Sequence, residues 1–87
     1  MADFVSKRFG KNVWITHHAR KSMLRRNVTE GVLEQVIEQG FIKHHDSTHY
    51  WVFDHVPGRS DNMICAAVLE RDALIVKTVM INWELEE

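Results

Sequence analysis

The spacing of hydrophobic positions changes about half-way along the chain. Residues 30–39 have helical spacing, with one apolar face formed by Val32, Leu33, Val36 and Ile37. Residues 17–26 predict a shorter helix, which Thr16 caps at its start and Asn27 ends in a left-handed conformation. Thr29 caps the second helix, and Gly40 is its stop signal. The pattern therefore predicts two consecutive helices, 17–26 and 30–39.

Strand-like segments lie mainly after the helices. Aromatic and β-branched residues predict strands at 50–56, 63–69 and 73–81. A brief β-like core lies at Val13–Ile15, and residues 1–11 form either a loose arm or an edge strand. The predicted fold class is α+β, with two N-terminal helices packed on one face of an antiparallel three- to four-stranded sheet. The length of the chain favours a single domain over residues 1–87.

Charge is segregated along the sequence. From Phe4 to Thr29 there are seven Lys or Arg residues and no acid, whereas the chain from Glu30 onward has four basic and eleven acidic residues. Such segregation indicates either an anion-binding surface or two faces that neutralise each other. No segment has the length of apolar sequence that a membrane span requires, so the cytoplasm is the predicted location, without a membrane partner.

The first helix carries the best candidate for an anion site. His18, Ser22 and Arg26 recur at i, i+4 and i+8, and Arg25 lies beside them. Guanidinium groups grip a phosphate while an imidazole transfers a proton, so this ridge suits a phosphodiester substrate. The predicted nucleic-acid contacts are Arg20, Lys21, Arg25 and Arg26. The alternative is a solvated face whose cations meet the acidic stripe of the second helix.

Histidines form a second candidate cluster near the first long strand. His45, His49 and Asp46 are metal-ligand types, but the segment runs from loop into strand and does not place them on one helical face, so no metal site is predicted. His49 or Tyr50 is expected to complete a site with the basic helix. No cofactor is predicted, because phosphate-loop, nucleophile-elbow and Cys-x-x-Cys motifs are absent from the sequence. Cys65 is the only cysteine and is expected to be a buried thiol.

The segment from Thr16-His17-His18-Ala19-Arg20 to Arg26-Asn27-Val28-Thr29-Glu30 resembles a family of short bacterial proteins. Its members have a Thr-x-His-Ala helix followed by a turn and a second helix, and are similar to BrnT- and RelE-type toxins. This chain has Ser22 where the family usually has a second Arg, and Asn27 where it has Gly. The resemblance covers about residues 14–82.

The resemblance implies a barnase–EndoU–colicin–RelE fold and RNA cleavage without a metal ion. By position, His18 would be the acid or base, Arg26 a phosphate clamp and Thr78 a supporting strand residue. Together with the histidine cluster, the predicted catalytic residues are His18, Arg26, His49 and Tyr50. Three alternatives stay open: a non-enzymatic module that binds RNA or an acidic protein such as an antitoxin, an inactive family member, and a homo-oligomer.

Overall fold

The computed structural model describes residues 2–59 and 63–83, which form two helices and six strands. In chain order these are β1 (Phe4–Ser6), β2 (Lys11–Ile15), α1 (His17–Arg26), α2 (Glu30–Gln39), β3 (Phe41–His44), β4 (His49–Asp54), β5 (Met63–Glu70) and β6 (Leu74–Trp83). The ends of the predicted domain, Met1 and residues 84–87, lie outside the described residues.

The strands form one mixed sheet in the order β1-β2-β6-β5-β4-β3. All neighbours are antiparallel except β2 and β6, which run parallel from the Val13↔Leu74 pair to the Ile15↔Val76 pair. The predicted fold class, two N-terminal helices on an antiparallel three- to four-stranded sheet, is therefore wrong. The helices lie in the middle of the chain, between β2 and β3, and the described sheet is mixed and six-stranded.

The fold prediction is wrong at the strands whose local sequence pattern carries little information. β1 and β3 have three and four residues, which is too short for a strand alternation to be recognised. β2 joins the sheet by pairing with β6 from the far end of the sequence, and such a non-local pairing leaves no trace in the spacing of residues 11–15. The segment 1–11, for which the sequence left two alternatives, contributes β1 at the sheet edge.

Side-chain caps define both helices. The Thr16 hydroxyl accepts a hydrogen bond from the Ala19 N–H at 3.0 Å, and the Thr29 hydroxyl accepts one from the Val32 N–H at 3.2 Å. Asn27 ends α1 with a φ of 57°, in the left-handed region that Asn tolerates. The predicted helix bounds 17–26 and 30–39 are confirmed.

The core lies between the helices and one face of the sheet. From the helices it takes Ala19, Met23, Leu33, Val36 and Ile37, and from the sheet mainly Val13, Ile15, Tyr50, Val52, Ile64, Ala66, Val68, Leu74, Val76 and Val79. Leu24, which follows Met23 in α1, is 84% exposed and lies outside this core.

Helix α1 packs beside the second half of β6. Strand β2 stops at Ile15, so β6 continues past Val76 without its parallel neighbour. The Thr16 N–H donates to the Val76 carbonyl at 3.2 Å, which places the start of α1 at this point. Farther along, the buried Ser22 hydroxyl lies 3.4 Å from the Thr78 hydroxyl. Ser22 thus contacts the sheet.

The β1–β2 turn is tied to the end of α2 by one carboxylate. Glu38 accepts hydrogen bonds from the Ser6 hydroxyl at 2.8 Å and from the N–H groups of Lys7 and Arg8 at 2.7 and 3.1 Å. Burial raises the pKa of the Glu38 carboxyl, but these hydrogen bonds together outweigh that effect and hold the pKa below its ordinary value. The turn and the helix are therefore held together by a charged group.

Candidate functional site

The sheet face turned away from the helices is here called the open face. Alternation along the strands sends Tyr50 and Val52 into the core, so His49 and Trp51 lie on the open face. The cross-strand register places Ala67 and Thr78 in one row with Trp51. The core residues of α1 and α2 pack on the opposite face of the sheet, whereas Arg26 at the end of α1 reaches this one.

Two clefts adjoin on the open face. The first, here called the histidine cleft, has a volume of about 240 Å³ and is lined by His45, His49, Tyr50, Trp51, Ala67, Val68, Lys77 and Thr78. The second, here called the tryptophan cleft, has a volume of about 510 Å³ and is lined by Arg26, Lys43, Trp51, Met80, Ile81, Asn82 and Trp83. Trp51 lines both, so the two clefts meet at this side chain.

A tight turn between β3 and β4 fixes the imidazole of His49. The Asp46 carboxylate accepts the N–H groups of Thr48 and His49 at 2.9 and 2.8 Å, and one of its oxygens lies 3.0 Å from His49 Nδ1. Hydrogen bonds hold the pKa of Asp46 well below its ordinary value. The Thr48 N–H has the largest effect, followed by the His49 ring and the His49 N–H. Because Nδ1 donates to this carboxylate, the neutral ring of His49 presents Nε2 as its proton-accepting nitrogen.

His45 lies at the other end of the same turn. Its N–H donates to the His49 carbonyl at 2.9 Å, and its ring is 5.3 Å from the ring of Trp51. The side chain is exposed and lines the histidine cleft. The turn therefore brings two imidazoles to one cleft.

A β-bulge in β6 delivers a cation to that cleft. Thr78 pairs with Ala67 and Val76 pairs with Val68, so Lys77 is the extra residue of β6. A bulge interrupts the alternation of side chains and re-aims those next to it. Lys77 is exposed and Thr78 is half-buried, and both line the histidine cleft.

The tryptophan cleft combines aromatic rings with cations. The Lys43 ammonium lies 5.8 Å from the ring centroid of Trp51, within the range of a cation–π contact. The rings of Trp51 and Trp83 are 6.4 Å apart, and Trp83 packs against Phe53 at 4.6 Å. Arg26 completes the lining from the end of α1.

Neither cleft has an acidic residue in its described lining, although each has cations: Lys77 in one, Arg26 and Lys43 in the other. Lys43 and Lys77 both come from the acid-rich part of the sequence. Folding therefore gathers positive charge that the linear charge pattern does not reveal. Lys77 could have been predicted from the sequence, because it directly precedes Thr78, the strand residue that the resemblance implies.

The structure brings some of the predicted catalytic residues together. His49 and Tyr50 line the histidine cleft, and Arg26 lines the tryptophan cleft that adjoins it at Trp51. Tyr50 does so from a buried position, with its ring stacked on Phe9 at 6.1 Å. His18 is exposed one helical turn before Ser22, and it is not among the described residues that line either cleft.

The predicted nucleic-acid contacts separate into two groups. Arg26 reaches the tryptophan cleft, whereas Lys21 and Arg25 lie exposed on the outer side of α1. Arg20 forms an ion pair with Asp3, which precedes β1, and lines a different groove at the junction of the two helices. The acidic protein partner predicted from the sequence would bind this outer face of α1.

The described residues offer neither a metal-binding cluster nor a reactive thiol at the site. Among residues 2–59 and 63–83, no three His, Cys, Asp or Glu side chains converge to hold a metal ion. Cys65 pairs with Phe53 and Met80 across the sheet and is fully buried. Burial raises the pKa of its thiol to about 12. Cys65 is thus a packing residue, as expected from the sequence.

No protein-family model, curated protein or solved structure matches the chain. The resemblance to BrnT- and RelE-type toxins and the RNA cleavage that it implies therefore stay predictions. No helix in the described residues has the length and apolar character needed to cross a bilayer.

Proposed function

We propose that the protein binds RNA across the open face and cleaves its backbone at the histidine cleft without a metal ion. The observation that supports this proposal is that His49, held by Asp46, shares a cleft with His45 and Lys77. RNA cleavage of this kind requires a base for the 2′-hydroxyl, an acid for the leaving oxygen and a cation for the charge on phosphorus.

The roles follow from the surroundings of each side chain. His49 Nε2 takes the proton of the 2′-hydroxyl, and Asp46 stabilises the resulting imidazolium through Nδ1. The 2′-oxygen attacks the phosphorus and forms a 2′,3′-cyclic phosphate. The 5′-oxygen leaves with a proton from protonated His45, while the Lys77 ammonium balances the charge on the phosphoryl oxygens.

Two predicted residues retain a place in this proposal. Arg26 grips the phosphate next to the cleavage site, because it lines the adjoining cleft. His18 is the competing candidate for acid or base that the resemblance implies. It lies on the exposed side of α1, near the Ser22–Thr78 contact.

The test is incubation of the purified protein with total RNA in excess EDTA. Replacement His49→Ala is expected to slow cleavage by about 10²- to 10⁴-fold, the usual contribution of an acid or base. His18→Ala tests the competing role, and His17→Ala is the matched control because His17 is an exposed imidazole in the same helix. RNA that stays intact with the unaltered protein, or cleavage unchanged by His49→Ala, contradicts the proposal. A large loss in His18→Ala alone moves the reaction to the helix.

A second candidate function is RNA binding without cleavage. It is favoured by the tryptophan cleft, whose aromatic and basic lining suits a nucleic acid and contains neither His45 nor His49. In this case affinity falls steeply with salt concentration, since RNA phosphates release counterions when cations bind them. Salt-dependent binding by a protein that leaves RNA intact would identify this function, and affinity that does not change with salt would exclude it.

A further inference from the structure

We infer that the open face selects single-stranded RNA, with unpaired bases stacked on Trp51 and Trp83. This inference rests on the proposed function for the identity of its occupant. It adds the class of substrate, because it assigns the tryptophan cleft to bases and the histidine cleft to the backbone beside them.

The rings of Trp51 and Trp83 keep some accessible surface. Both side chains are partly buried, although Trp is a large apolar side chain that a small protein gains from burying completely. Phe53 and Cys65, which lie on the same face, are almost fully buried. The apolar layer of the open face is thus formed by these smaller side chains, while the two Trp rings keep accessible surface beside a cleft of about 510 Å³.

The charged side chains around the two Trp rings are cationic in the described lining. Arg26 and Lys43 line the tryptophan cleft, and its described lining contains no carboxylate. Proteins that bind single-stranded nucleic acids without sequence preference combine two features. Cationic side chains follow the backbone, and aromatic rings beside them stack on the bases. A base in a duplex keeps its faces inside the stack, so it cannot lie on a Trp ring without first being unpaired.

The tryptophan cleft adjoins the proposed reaction site. Trp51 lines both clefts, and its ring lies 5.3 Å from the ring of His45 and 6.4 Å from that of Trp83. A base stacked at Trp51 therefore places its own or the adjoining phosphate next to Lys77 and His49. The substrate that fits is an RNA strand that is unpaired on at least one side of the cleaved bond.

The experiment measures binding by the cleavage-deficient His49→Ala protein, with a fluorescent single-stranded RNA and the blunt duplex of the same sequence as probes. The single strand is expected to bind at least about 10-fold more tightly than the duplex and to quench Trp fluorescence. In the same background, Trp51→Ala and Trp83→Ala are each expected to weaken single-strand binding by about 5- to 150-fold. Trp14→Ala is the matched control, since Trp14 is 38% exposed on β2 and belongs to the described lining of neither cleft.

Each outcome is decisive. Equal affinity for duplex and single strand, or Trp51→Ala and Trp83→Ala variants that bind like Trp14→Ala, overturns the inference. If Trp51→Ala does not fold, Trp83→Ala and the comparison of the two probes still decide it. If the unaltered protein cleaves RNA but shows no preference for single strands, only this inference is refuted. If the protein neither binds nor cleaves any RNA, the proposed function is refuted as well, and a protein partner is then the expected ligand of this surface.

Discussion

At the scale of single residues, Cys65 shows that the open face has an apolar layer of its own. The side chain is fully buried on the side away from the helices, between Phe53 and Met80 in the cross-strand register. Such a position keeps the thiol neutral, because a thiolate would lose its hydration there. The aromatic side chains of the open face therefore pack on a layer of buried side chains.

Cys65 is expected to resist thiol reagents in the native protein. Its pKa of about 12 leaves little thiolate at pH 8, and the sulfur is not accessible, so labelling by a chromogenic disulfide should be at least about 100-fold slower than in denaturant. The raised pKa also gives the sign of a pH effect. Its contribution to stability is complete below about pH 8.5, the value for an unfolded thiol, and is lost as the pH rises toward 12.

The control for this measurement is Cys65→Ser, which removes the only thiol of the sequence and should abolish labelling in denaturant. Native protein that is labelled as fast as the denatured chain would show that the open face does not cover Cys65.

At the scale of elements, the β1–β2 turn depends on a contact with the end of α2. Glu38→Gln is expected to lower the free energy of unfolding by about 1 kcal/mol, because a neutral amide accepts the N–H groups of Lys7 and Arg8 less strongly and solvent already screens the carboxylate. Since the pKa of Glu38 is lowered by folding, this contribution is present above about pH 4.3 and disappears as the pH falls below the folded value. Urea unfolding at pH 7 and pH 3 measures both effects.

Glu34→Gln is the matched control, since Glu34 is an exposed acid on the same helix. It should change the free energy of unfolding by less than about 0.5 kcal/mol. An equal loss in both variants would mean that helix charge, and not the contact with the turn, determines the effect of Glu38.

The elements differ in how far the sequence alone could predict them. Helices α1 and α2 were predicted to the residue because hydroxyl caps at Thr16 and Thr29 mark their starts in the sequence itself. A strand was also predicted at 50–56, where the structure has β4, because aromatic and β-branched residues are a local signal. The position of β2 could not be predicted, because its parallel pairing with β6 is decided by residues far apart in the chain.

The candidate site was predicted only in part for a related reason. His49 and Arg26 were named from their residue type and spacing, but the two clefts that they line depend on the sheet order and on the bulge at Lys77. Helical spacing also grouped Ser22 with His18 and Arg26, whereas Ser22 packs against Thr78 because α1 lies beside β6. Spacing predicts which side chains share a face of an element, but not what that face meets.

At the scale of the whole molecule, the β2–β6 pair makes the sheet one unit. Val13 is fully buried at this junction, so Val13→Ala is expected to lower the free energy of unfolding by about 2 kcal/mol through lost burial and the cavity left behind. Urea unfolding followed by Trp fluorescence and by far-UV circular dichroism should shift equally, because a cooperative unit unfolds in one step.

Val5→Ala is the control, since Val5 is 59% exposed on the edge strand β1 and should change stability by no more than about 0.5 kcal/mol. Val13→Ala transitions that separate between the two probes would show that β1 and β2 unfold independently of the rest of the sheet.

The central position of β6 also determines when the histidine cleft forms during synthesis. β6 is the last described strand in the sequence, yet it lies between β2 and β5 and carries Lys77 and Thr78. A nascent chain that lacks β6 leaves two strand edges unpaired and has no histidine cleft, and non-local pairing of this kind is slow to form. The cleft that we propose for RNA therefore forms only after β6 has been synthesised and has inserted between β2 and β5.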